Sequence, residues 1–126
     1  MGVTISYDPS SDLTILKAEG VSGYEDFKQA VEHFYQSGEF NLSGPVLCDL
    51  RRVVVGMFTS EEIHKLAEMV VQFEKYRGEG KTAIVAQQDI VFGLARMFEQ
   101  FTGNRSDTIR VFRDVQQAHL WLASQD

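Results

Sequence analysis

Val3 to Tyr7 alternates apolar and polar positions, the period-two pattern of a half-buried strand. Asp8-Pro9-Ser10-Ser11-Asp12 is a turn cluster, and Leu13 to Glu19 resumes strand character, so the two segments predict an antiparallel hairpin. The period then changes. Phe27, Ala30, Val31, Phe34 and Tyr35 recur at helical spacing behind Ser22-Gly23-Tyr24-Glu25, which reads as a capping box with Ser22 as the N-cap. Ser37-Gly38 closes that helix, and Gly44-Pro45 leads into a strand over Val46 to Leu50. Thr59-Ser60-Glu61-Glu62 starts a second helix, expected to run to about Tyr76, short of Gly78 and Gly80. Thr82 to Ala86 is short and almost wholly apolar, as a strand covered on both faces is. A third helix is expected from about Asp89 to Phe101, a last strand over Ile109 to Phe112, and a short final helix capped by Asp114.

The order β-β-α-β-α-β-α-β-α predicts an α/β fold: a mainly parallel five-stranded sheet with an N-terminal antiparallel hairpin and helices packed on it. Crossovers should be right-handed, with consecutive strands as neighbours after the hairpin. The 126 residues fit a single domain, 1–126.

One region is more apolar than a core needs. Arg51-Arg52-Val53-Val54-Val55-Gly56-Met57-Phe58 places a hydrophobic run where a polar connection is expected. In the helix that follows, Glu61, His64, Lys65, Glu68, Gln72 and Lys75 occupy about a third of the wheel, whereas covering a sheet requires an apolar stripe of only roughly 100°. The surplus has two readings. Either this helix packs on the third helix as well as on the sheet, or the two bound a cleft lined by Met57, Phe58, Met69, Phe73, Phe92 and Met97, with Val54 in the loop before it. Such a surface would meet a second subunit, another protein or a lipophilic small molecule, and methionines suit adaptable apolar contacts.

Charge narrows the partners. The net charge of −6 argues against nucleic acid and leaves at most weak peripheral membrane contact, with Arg51 and Arg52 as the clustered basic residues nearby. No stretch approaches the ~20 apolar residues of a membrane span, and the start lacks the pattern of a signal peptide, so a cytoplasmic location is expected. The single cysteine, Cys48, sits among Val46, Leu47 and Leu50 and reads as a buried small apolar residue.

Motifs for reaction chemistry are incomplete. Gly78-Glu79-Gly80-Lys81-Thr82 imitates the end of a phosphate-binding loop, but Lys75 stands where the first glycine belongs, and a helix precedes the loop instead of following it. His33, His64 and His119 fall on different helices without a second ligand at metal spacing, so neither a metal nor a cofactor is expected. The polar residues expected at the carboxyl ends of the parallel strands, where α/β sheets place ligands, are Asp49, Arg51, Gln87, Asp89 and Arg113. They include no activated nucleophile or paired acid and base.

The element order, with Val46-Leu47-Cys48-Asp49-Leu50 leading to Thr59-Ser60 at a helix start, resembles the STAS superfamily and within it the SpoIIAA-like proteins, related in fold to CRAL-TRIO domains. Phe92-Gly-Leu-Ala-Arg96-Met-Phe-Glu99, Val111-Phe112-Arg113-Asp114 and Ala118-His-Leu-Trp121-Leu122 carry the same likeness. The resemblance implies a binding or regulatory domain, and a phosphorylated hydroxyl at Thr59 or Ser60. Here Phe58 precedes the hydroxyls and Glu61 and Glu62 follow; those acids would repel a phosphate, so an N-cap role is the expectation. The combined reading is a non-enzymatic binding domain acting through the apolar loop and helix surface. A small enzyme or polar-ligand site at the strand ends is the alternative.

Overall fold

The computed structural model describes residues 2–56, 58–103 and 107–124. In chain order it contains β1 (Gly2–Asp8), β2 (Leu13–Ser22), α1 (Tyr24–Gln36), β3 (Val46–Val55), α2 (Ser60–Phe73), a single 3-10 turn (Glu74–Tyr76), β4 (Thr82–Val85), α3 (Asp89–Phe101), β5 (Ile109–Phe112) and α4 (Val115–Ala123). The sheet runs β1-β2-β3-β4-β5; the first pair is antiparallel and the rest are parallel.

Monotonic strand order dictates where the helices go. Each parallel crossover steps the same way along the sheet, and right-handed crossovers then deliver α1, α2 and α3 to one face. That face carries Ala18, Val53, Ile84 and Ile109 against Phe27, Val70 and Val91 from the three helices. α4 follows the last strand, is under no such constraint, and covers Leu47, Ala83 and Val85 on the opposite face with Ala118 and Trp121.

Two expectations are corrected by the way β2 and β3 pair. Both strands are longer than their alternation predicts. Lys17 pairs with Asp49 but Glu19 with Arg52, so β3 carries one extra residue, a bulge, and pairing then continues to Ser22 and Val55. The segment Arg51 to Val55 is therefore strand, not loop. Before the bulge Cys48 and Leu50 face the helices; after it Val53 and Val55 do. Val54 and its register partner Val21 point to the other face, 56% and 64% exposed.

Because Ser22 is the last residue of β2, it is not a helix cap. It is fully buried, with only long contacts to Gly20 O (3.4 Å) and Glu19 O (3.5 Å). Gly23 takes the N-cap position of α1, and Asp26 Oδ2 accepts from the Gly23 N–H at 2.8 Å. At α2 the box forms in full: Thr59 accepts from Glu62 N–H (3.0 Å) and Glu62 accepts from Thr59 N–H (3.1 Å).

A cavity beneath three helices

The helical layer does not close completely on the sheet. A cavity of about 160 Å³ lies between them. Its floor is Leu16, Cys48, Leu50 and Ile84; its roof is Phe27 and Val31 from α1, Leu66 and Val70 from α2, and Leu94 and Phe98 from α3. Protein interiors rarely hold voids much larger than a water molecule. A space this size with an apolar lining offers water few hydrogen bonds; an engineered apolar cavity of about 150 Å³ in another protein stays dry and takes up benzene. Cys48 is among the residues that line this cavity. Burial pushes its thiol up to about 12, with the charge of Asp49 adding to the effect, so it stays a protonated, unreactive part of the wall.

One corner differs. Arg77, 5% exposed, follows the 3-10 turn and lines the cavity. Its Nη1 donates to Leu42 O (2.9 Å) and Gly44 O (3.0 Å), its Nη2 to Lys81 O (3.0 Å) and Thr82 Oγ1 (2.8 Å). The guanidinium lies 5.5 Å from the centre of the Phe34 ring. Desolvation pulls its pKa down. Tyr35, stacked on Phe73 at 4.6 Å, shares the corner, and burial raises its phenol. A second recess of about 30 Å³ shares Tyr35, Val70, Arg77, Thr82 and Ile109 with the main cavity.

The glycines of the nucleotide-like motif serve this corner. Gly78 has φ +57°, and a side chain on Gly80 would come within 3.0 Å of both Arg77 O and Ser43 O. Lys81 faces away toward α4, donating to Trp121 O (3.0 Å), Ser124 O (2.8 Å) and Ser124 Oγ (2.8 Å).

The residues singled out from sequence are distributed rather than gathered. Phe58 lines the cavity and packs on Phe27, ring centres 5.7 Å apart. Phe73 supports Tyr35 from outside the lining. Met69 and Met97 are half-buried and do not line the cavity. Phe92 packs on the core beneath Arg113, 4.1 Å from ring centre to guanidinium. Val54 is on the far face, and Met57 lies outside the described residues. α2 packs on α3 and also on α1, with His64 edge-on to Phe101 at 4.9 Å. The space opens inward under all three helices, and α1 contributes lining residues that the helical surplus of α2 did not point to.

The polar candidates form two separate pairs. Asp49 accepts from Arg51 N–H (3.0 Å), Nε (2.9 Å) and Nη2 (2.9 Å), a clasp across the bulge. These hydrogen bonds, against the opposing effect of burial, hold the Asp49 carboxyl below its usual range. Arg113 pairs with Asp89 (2.9 Å) and donates to Gln87 O (2.9 Å) at the exposed ends of β4 and β5. Thr59 and Ser60 are exposed at the start of α2, with Thr59 engaged as the cap. Among the described residues no cluster of three or more His, Cys, Asp or Glu could hold a metal ion, and no helix is long and apolar enough to cross a membrane.

Arg77 carried no signal in the sequence. An arginine at the end of a helix reads as a solvated complement to the helix dipole. What marks it is the neighbouring Gly80, whose missing side chain leaves room for the guanidinium, 3.2 Å from where a Cβ would be.

No family model and no curated protein matches the chain. Among solved structures it is similar to an uncharacterised protein of the DUF3478 family with a SpoIIAA-like fold from Shewanella loihica PV-4. The TM-score is 0.61 and the identity 20%, over 97% of this chain and 94% of that one. The architecture is a SpoIIAA-like α/β fold, as the element order predicts.

Proposed function

We propose that this chain is a non-enzymatic binding domain that holds a small lipophilic molecule between its sheet and α1, α2 and α3. The observation that carries the reading is the apolar cavity of about 160 Å³ between the sheet and the helices, larger than the voids protein interiors ordinarily hold. Its volume suits a guest of roughly six to eight heavy atoms, by comparison with the benzene-sized case. A guest that small binds with a Kd on the order of millimolar to micromolar. A lipophilic guest is favoured over a second subunit. Exposed apolar side chains are spread over several elements: Val21 and Val54 on the sheet, Ile90 and Phe101 on α3, and Leu120 on α4. The polar candidates support binding over catalysis, since Asp49 and Arg113 are committed to Arg51 and Asp89.

The test is titration of the protein with 1-hexanol and toluene, followed by thermal denaturation and by ligand-observed NMR. Saturation should raise the melting temperature through linkage. Cys48→Phe, which fills the floor of the cavity, should remain folded and abolish the shift. An unchanged melting temperature with both probes at saturating concentration would defeat the proposal, as would a shift that survives in Cys48→Phe.

A further inference from the structure

We infer that the ligand is a lipophilic monoanion, a short carboxylic acid whose chain fills the apolar cavity and whose carboxylate meets Arg77. This rests on the cavity reading above and adds the chemistry of the head group. Among the described residues that line the cavity, Arg77 is the one that carries a charge. Its four hydrogen bonds all go to uncharged oxygens, those of Leu42, Gly44, Lys81 and Thr82. Among the described residues no carboxylate pairs with it. A buried cation without a counter-charge is costly; carbonyl dipoles offset part of that cost, and an anion in the same low-dielectric space offsets more.

The donor count fits a carboxylate. A guanidinium has five N–H groups; the four on Nη1 and Nη2 are used here, and the Nε–H makes no hydrogen bond to the described residues. Tyr35 lines the same corner, and its phenol can donate one hydrogen bond. Two donors suit the two oxygens of a carboxylate, whereas a phosphate dianion needs several more. The carboxylate belongs on the main-cavity side of Arg77, because Glu74 lines the smaller recess beyond it and would repel an anion there. The remaining lining is aliphatic and aromatic apart from Cys48 and Thr82, so the rest of the ligand is hydrocarbon.

Three probes of one chain length separate the possibilities in the native protein: hexanoate, 1-hexanol and hexylamine, titrated calorimetrically at pH 7. Hexanoate should bind at least tenfold tighter than 1-hexanol, hexylamine should bind weakest, and 1-hexanol should displace hexanoate. Binding of 1-hexanol as tight as hexanoate, or tighter, overturns the assignment of an acid while leaving the cavity as a lipophilic site. Hexanoate that 1-hexanol cannot displace is bound elsewhere, which also overturns it. Failure of all three probes to bind removes the cavity reading itself.

Discussion

Replacing Arg77 with Met keeps the length of the side chain and deletes its charge and donors. Four contacts go, and they are not equivalent. Lys81 O still accepts the Val46 N–H at 2.9 Å, and the Thr82 hydroxyl is only partly buried, so these two lose only the net value of a hydrogen bond, about 0.5–1.5 kcal/mol each. Gly44 O is buried and is left without the donor that satisfied it, at a cost of about 1–3 kcal/mol. Leu42 O is partly buried and can recruit water, at a cost of about 1 kcal/mol. Against these losses the variant no longer desolvates a guanidinium, which returns a few kcal/mol. The expected net is a destabilisation of about 2–3 kcal/mol, read as a lower urea midpoint at unchanged slope. The midpoint of thermal denaturation should fall by roughly 10 °C. Arg77→Lys should recover only part, because one ammonium cannot span acceptors on both sides of the corner. A loss below about 1 kcal/mol for Arg77→Met would refute the view that this side chain clamps the loop before β3 to the start of β4.

Three further outcomes are expected. Lys81→Met should destabilise by about 1 kcal/mol and speed amide exchange in α4, since Lys81 binds the carbonyls at the end of that helix and lies 5.2 Å from the Trp121 ring centre; unchanged exchange would count against it. Asp26→Ala should cost about 1 kcal/mol in urea melts whereas Ser22→Ala should cost less, the reverse of what Ser22 as N-cap would give. Asp49 has its folded pKa depressed, first by hydrogen bonds from Arg51, so its stabilisation is present above the unfolded value of about 4 and lost as pH falls through the lower folded value. The stability gap between the native protein and Asp49→Asn should therefore shrink between pH 7 and pH 3, and a constant gap would exclude this source.

The order of elements was readable because most of the chain keeps one period at a time. It failed where the period itself is broken. At Arg51-Arg52 the bulge inserts a residue, alternation skips a beat, and a strand continuing to Val55 looks like an apolar loop. The start of α1 offers two candidate boxes one residue apart, Ser22 to Glu25 and Gly23 to Asp26, and local propensity favours the serine. Pairing of Ser22 with Val55 decides for the other, a tertiary fact with no local trace. The apolar excess of α2 was visible as an amount, but a helical wheel carries no information about whether the excess faces a neighbour, a void or solvent. The cavity also depends on α1, whose Phe27, Val31 and Phe34 look like ordinary core.

The sheet is laid down in the order in which the chain is made. Every N-terminal portion that ends after a strand is already a contiguous sheet, so no later strand has to be inserted between two earlier ones during synthesis. The two faces do not mature together. The side holding α1, α2 and α3 grows with each crossover, while the side under α4 stays bare until the last helix emerges. Leu47, Ala83 and Val85 are then exposed on a growing ribosome-bound chain, and Lys81 holds its ammonium ready for carbonyls that lie about forty residues downstream. Arrest of synthesis before α4 should yield a chain with its first core formed and its second open, which makes the final nine-residue helix the step that removes the hydrophobic surface a chaperone would recognise.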